Sequence, residues 1–177
     1  MGTNHETVGS DLLSILAALR FPEQVLGKDE AARLAAVDPA QWYPISWLLQ
    51  LMETIDQRVG YYGLVSVGRK LFKQSHEEQA KAAFKSAHAL LSAFDALYHN
   101  ANRGDRIGGW ELVSFDNSAA QMKKTTPHHC AMEQGLIVAS MEMLGINSNV
   151  TQTTCFRRGD GFCTYVISST VHDHRWR

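Results

Sequence analysis

Cys155-Phe156-Arg157-Arg158-Gly159-Asp160-Gly161-Phe162-Cys163 is the stretch on which the fold turns. Runs of β-favouring residues flank it, Asn149 to Arg157 on one side and Phe162 to Ser169 on the other. Between them, Arg158-Gly159-Asp160-Gly161 has the composition of a tight turn, so the segment reads as a β-hairpin. Chain reversal brings positions on either side of the turn together, and Cys155 and Cys163 approach each other. If the helix that begins near Cys130 packs over this hairpin, the three thiols of the chain converge. Thiolates are soft ligands suited to tetrahedral Zn²⁺, but a structural site needs a fourth group. Cysteine is also among the residues most often buried simply as core volume, and spacing alone leaves both readings open. His128 and His129 precede Cys130, yet consecutive side chains on a helix do not face each other, so adjacency makes no catalytic pair.

Working outward, Pro127 opens a helix from His128 to Leu144 that Gly145 ends. Before it, Gly109 to Phe115 and Ala119 to Thr126 read as strands joined by an Asp116-Asn117-Ser118 turn. The turn formers from Asn100 to Asp105 mark the change from a helical first hundred residues. There, Ser10 or Asp11 can cap a short helix carrying Leu12, Ile15 and Leu19, after a polar start expected to fray. Lys28 to Val37 is Ala-rich and helical in pattern. Pro44 opens an amphipathic helix through Ile45, Leu48, Met52, Ile55 and Val59. After Gly60 a second helical run, Tyr61 to Phe72, carries Gly63 and Gly68, which weaken it or mark close packing. Ser75-His76-Glu77-Glu78 caps a longer helix reaching about His99. The order is helices, hairpin, helix, hairpin. The expected class is α+β, with N-terminal helices packed on an antiparallel sheet of two hairpins joined by a helix. Residues 1–40 are expected as a helical arm and 41–177 as a small-molecule-binding domain.

The 17 basic and 18 acidic residues nearly cancel, which supplies no footprint for a nucleic-acid backbone. The apolar runs Leu12 to Leu19 and Ile137 to Leu144 are too short for a bilayer. Met1 to Ser10 lacks the basic and small-residue pattern of a secretory signal, and the expected location is the cytoplasm.

Pro127-His128-His129-Cys130, Glu133-Gln134-Gly135, Gly145 and the Cys155 to Ile167 segment together resemble the 4-vinyl-reductase domain family, which is similar to the sensor domains of aromatic-responsive transcriptional activators. The resemblance spans Trp110 to Ile167. It implies an α+β ligand-binding fold around an apolar cavity, commonly in a homodimer. It also implies a zinc site on the equivalents of Cys130, Cys155 and Cys163, with a glutamate three residues before the second cysteine. Gln152 stands at that position here, and a neutral amide is a poorer ligand, which either weakens the metal assignment or moves the fourth ligand to His128, His129 or water.

Trp110 lies close to where those relatives place a pocket tryptophan, and either walls a planar ligand or caps the core. Phe84, His88, Leu91 and Phe94 recur at spacings of three or four and can face a common space. His88 can then hydrogen-bond a ligand or ligate haem iron, or serve as a boundary residue. Trp42, Tyr43, Trp47, Tyr61 and Tyr62 make an aromatic-rich region suited to core, pocket wall or dimer surface. No glycine-rich turn follows a strand in the dinucleotide-binding arrangement, so a reductase has no visible hydride source and an enzyme stands last among the readings. The functional expectation is a cytoplasmic sensor domain for an apolar or aromatic molecule, signalling through a separate output protein. The alternatives are a haem or tetrapyrrole-binding protein in gas sensing or pigment handling, and a ligand-free structural subunit.

Overall fold

The structure is a computed structural model and describes residues 4–177. Its first elements are β1 (Glu6–Val8), α1 (Gly9–Ala18), α2 (Pro22–Leu26), α3 (Lys28–Ala35) and β2 (Trp42–Pro44). Contrary to the expected fraying, β1 is held antiparallel between β2 and β3 (Asn102–Arg103) in a small three-stranded sheet. Helix α1 begins without a side-chain cap, and the Ser10 carbonyl instead accepts the Ser14 hydroxyl one turn on. Leu12 and Ile15 of α1 are fully buried in a cluster with Leu48, Leu51 and Ile55.

Those partners lie on α4 (Ile45–Ser75), which is two helices joined at Gly60, where φ is 72°. Only glycine adopts that backbone without a steric penalty, which is why the helical pattern breaks there. The long helix expected from Ser75 to His99 is likewise two pieces, α5 (Glu77–Ala83) and α6 (Ala87–Ala101). Phe84 is extended, and the Ser86 hydroxyl accepts the Ala89 N–H as an N-cap for α6. The C-terminus supports the break, because the Ala87 and His88 N–H groups donate to the Arg175 and Trp176 carbonyls. No local pattern announces an interaction with the far end of the chain.

The remaining elements are β4 (Trp110–Phe115), β5 (Ala119–Lys124), α7 (Cys130–Met143), β6 (Ser148–Thr154) and β7 (Cys163–Ser169). The two expected hairpins join through β5 and β7 into one antiparallel sheet of order β4-β5-β7-β6. Helix α7 lies between this sheet and α4. Ile137 and Met141 pack with Met122, Tyr165 and Ile167, while Ala131 and Met132 pack with Leu64, Val67 and Leu71. A helix buried on both sides has no polar stripe, which fits its apolar composition. The crossing with α4 is made through glycine: a Cβ on Gly68 would strike the Met132 carbonyl, and one on Gly135 the Val65 carbonyl. Close packing, rather than helix weakness, explains Gly68. The C-terminal end is also docked. Trp176 is fully buried, stacks on Phe115 at 4.8 Å and donates its indole N–H to the Asp116 carbonyl.

Candidate functional site

Two features concentrate the chemistry, a cavity beside α5 and α6 and a thiol cluster under the second hairpin. The cavity measures about 550 Å³ and is walled by Phe72, Phe84, Leu90, Phe94, Leu97 and Trp110. Phe94 meets Trp110 edge-on at 5.4 Å, and the Trp110 backbone N–H is anchored on the Asp95 carboxylate. Three of the four residues singled out for a ligand therefore share one space. His88 does not join them: it packs edge-on against Phe115 at 4.8 Å, because the break before α6 rotates it away from Phe84.

Titratable groups on the cavity are Asp11, His76, Tyr98, His128 and Glu133, and Ser10, Gln79, Asn100 and Asn102 add neutral polar groups. His128 Nδ1 and a Glu133 carboxylate oxygen are 3.1 Å apart, and Thr126 donates to the same oxygen. His128 Nε2 is buried and has no hydrogen-bond partner among the described residues. Burial raises the Asp11 carboxyl from 3.8 to about 6, with nearby Glu133 adding to the effect and His128 opposing it. Burial also pushes the Tyr98 phenol up and the His76 imidazole down. The Tyr98 hydroxyl donates to the Ile107 carbonyl. No Lys or Arg lines the cavity among the described residues. Sequence reasoning did not assemble this polar floor, since Asp11 comes from α1 and His128 and Glu133 from the start of α7. The only local signal was a histidine and a carboxylate on an otherwise apolar helix start.

The second feature does bring the cysteines together. Cys130 Sγ lies 3.2 Å from Cys155 Sγ and 3.6 Å from Cys163 Sγ, and all three fall within 4.8 Å of one another. All are reduced and buried. The hairpin turn explains the Gly-Asp motif between them: Gly159 takes the left-handed conformation at φ 97°, and Asp160 turns back to accept the Cys155 N–H at 2.7 Å. A hydrogen bond shared with Cys130 holds the Cys163 thiol down at about 7, while the same contact and burial push Cys130 up. No His, Asp or Glu completes the group among the described residues. His128 is turned to Glu133, and His129 approaches Asp56 and caps α7 by accepting the Ala131 N–H. Gln152 sits beside the cluster, with its Oε1 accepting from the Tyr61 hydroxyl at 3.3 Å.

The arrangement of helices over a four-stranded antiparallel sheet is that of H-NOX proteins. An unliganded Fe(II) H-NOX protein from K. algicida superposes with a TM-score of 0.69 at 11% identity, covering 96% of this chain and 100% of that one. An H-NOX protein from S. oneidensis in the Fe(II)NO ligation state gives 0.70 at 15% identity over 92% and 99%. A structure solved to probe haem distortion in the H-NOX family gives 0.67 at 13% over 96% and 98%. At such identities the likeness establishes the fold. No family model and no curated protein matches the sequence. The resemblance to the 4-vinyl-reductase family is therefore corrected: the solved structures similar to this chain are H-NOX proteins. The cysteine hairpin and the Glu133-Gln134-Gly135 stretch, on which that resemblance rested, report local geometry, namely a turn held by Asp160 and a helix crossing at Gly135. The zinc expectation that came with it finds no support in these neighbours. No helix among the described residues is long and apolar enough to cross a membrane.

Proposed function

We propose that this chain is a small-molecule sensor domain whose ligand occupies the cavity beside α5, α6 and α7, and that the ligand is haem, serving gas sensing. The observation that carries this reading is His128, whose Nε2 is buried without a partner among the described residues at a cavity wall while its Nδ1 is held by Glu133. A histidine that ligates a metal commonly donates its other ring N–H to a carboxylate, which fixes the tautomer and raises ligand basicity. The likeness to Fe(II) H-NOX proteins supports haem over an aromatic metabolite.

The residues fit the group in part. Phe72, Phe84, Phe94, Leu97 and Trp110 suit a planar apolar ring, and His128 suits the iron. Among the described residues no Lys or Arg lines the cavity, and the groups left to meet propionates are neutral donors such as Ser10, Gln79, Asn100 and Asn102, beside the carboxylates of Asp11 and Glu133. Bound haem supplies an iron atom that takes a diatomic gas. Of this chain's own residues, His128 would hold the iron through Nε2, Glu133 would orient it, and the apolar walls would exclude water. Ligand occupancy is then read by a separate output protein through a shift in population between two conformations.

The carboxylates favour a second reading, in which the cavity takes a neutral or cationic apolar molecule. One experiment separates the two. Purified full-length chain is incubated with haem under reducing conditions and its absorbance recorded. The haem reading expects a protein-bound Soret band that His128→Ala abolishes or shifts and His88→Ala leaves unchanged. A spectrum of unbound haem alone removes the haem reading and leaves the second. A Soret band indifferent to His128→Ala removes His128 as the residue that holds the iron.

A further inference from the structure

Residues 171–177 are held across the molecule in a way the cavity reading leaves unused. Trp176 is fully buried, with its ring stacked on Phe115 and its indole N–H donated to the Asp116 carbonyl at 2.7 Å. Arg175 donates to the Gly145 carbonyl at 3.0 Å, and Arg177 to the Asn117 side-chain oxygen at 3.0 Å. On its other side the segment meets the start of α6. There the Ala87 and His88 N–H groups donate to the Arg175 and Trp176 carbonyls at 2.7 and 3.0 Å. The first N–H groups of a helix find no partner within it. A distant stretch of chain satisfies two of them here, and the Ser86 hydroxyl satisfies the next. His88 packs edge-on against the same Phe115 ring that carries Trp176.

Helix α6 is also a wall of the cavity, through Leu90, Phe94, Leu97 and Tyr98. Its two ends are held unequally. In the second half, the Asp95 carboxylate accepts the Trp110 N–H at 2.8 Å and the Tyr98 hydroxyl donates to the Ile107 carbonyl at 3.2 Å. In the first half, the hydrogen bonds that leave the helix among the described residues are the two to the 171–177 segment. The chain enters α6 from Phe84, which is extended and walls the cavity. Lys85 and Ser86 alone separate Phe84 from Ala87.

We infer that residues 171–177 are a strap on the start of α6 that lets go when haem fills the cavity. The inference rests on the cavity reading above and adds the means by which occupancy reaches the surface. A ligand against Phe84 and Leu90 swings α6 about its anchored second half, and the strap end gives. A hydrogen bond is lost once donor and acceptor part beyond about 3.5 Å, so a shift of about 1 Å at Ala87 and His88 opens both. The surface around Trp176 and Phe115 then changes. Linkage makes the coupling reciprocal: if occupancy loosens the strap, a loosened strap strengthens occupancy.

The test compares the full chain with and without haem, reading loading from the Soret band and the strap from hydrogen–deuterium exchange. Loading should speed exchange at the Ala87 and His88 amides roughly 5–150-fold, the usual span of coupling between two sites. Amides from Phe94 to Tyr98, in the anchored half, should not speed up. In a second arm, Trp176→Phe keeps a ring on Phe115 and removes the N–H that Asp116 accepts. It should bind haem roughly 2–10-fold more tightly than the parent, which is what one net hydrogen bond is worth. Arg175→Ala removes the bond to Gly145 from a partly exposed side chain, should act in the same direction, and decides the arm if Trp176→Phe does not fold. A Soret band with exchange at Ala87 and His88 unchanged or slowed overturns the inference and leaves the haem reading standing. Uptake no tighter than the parent's in these variants also overturns it, since a strap of purely structural use lowers the melting temperature without strengthening binding. No Soret band removes the haem reading, and the inference falls with it.

Discussion

Replacing Asp11 by asparagine tests the polar floor of the cavity without changing its shape. Burial raises the Asp11 carboxyl from 3.8 to about 6; Glu133 adds to this, while His128 and a hydrogen bond with Thr7 oppose it. A carboxyl that holds its proton more tightly in the folded state gives stability that is full below pH 3.8 and is lost as pH rises through about 6. A shift of that size corresponds to about 2–3 kcal/mol of penalty at neutral pH. The amide of Asp11→Asn carries no charge, so the variant should be more stable than the parent above pH 6 by about that amount, or roughly 5–10 °C in Tm for a domain of this size. Below about pH 4 the two should converge. The assay is thermal unfolding followed by circular dichroism at several pH values. Equal melting temperatures at about pH 7, or a difference that stays constant between about pH 4 and 7, would show that Asp11 is not held in a desolvating site. The same substitution removes a negative charge from the cavity and should strengthen haem uptake if haem is the ligand.

Trp176→Ala should cost about 3–5 kcal/mol, the usual range for emptying a large buried aromatic site, and destabilise the start of α6 with it. Denaturant unfolding checks this, and a loss under about 1 kcal/mol would mean that the C-terminal segment does not support the fold. Gly68→Ala places a methyl against the Met132 carbonyl and should destabilise by about 1–3 kcal/mol despite alanine's higher helix propensity. A stabilised Gly68→Ala chain in the same unfolding assay would show that α4 and α7 do not cross in contact at that point.

Where the pattern is local, the sequence was readable. The β6–β7 hairpin follows from a Gly-Asp turn between β-favouring runs, and the α4 break from the left-handed φ at Gly60. The convergence of Cys130 with Cys155 and Cys163 also follows once a helix is laid over the hairpin, because strand register dictates which side chains meet. Other expectations failed for reasons no window of sequence contains. The split between α5 and α6 depends on backbone hydrogen bonds that Ala87 and His88 donate to the Arg175 and Trp176 carbonyls, so Phe84 and His88 were read as one face when they are not. Resemblance misled for a related reason, since a short motif reports a turn and a helix crossing, whereas family likeness is carried by the whole arrangement of layers.

By itself, then, the sequence determined the α+β class, the two hairpins and the thiol cluster, all products of periodicity, turn chemistry and register acting over a few residues. Only the tertiary structure decided which polar groups meet at the cavity, bringing Asp11 from α1 to His128 and Glu133 at the start of α7. It also decided that Lys124 is buried beside the thiols with no carboxylate among the described residues to meet it. Burial and charge pairing depend on what the rest of the chain packs around a residue, and that is written in no local pattern.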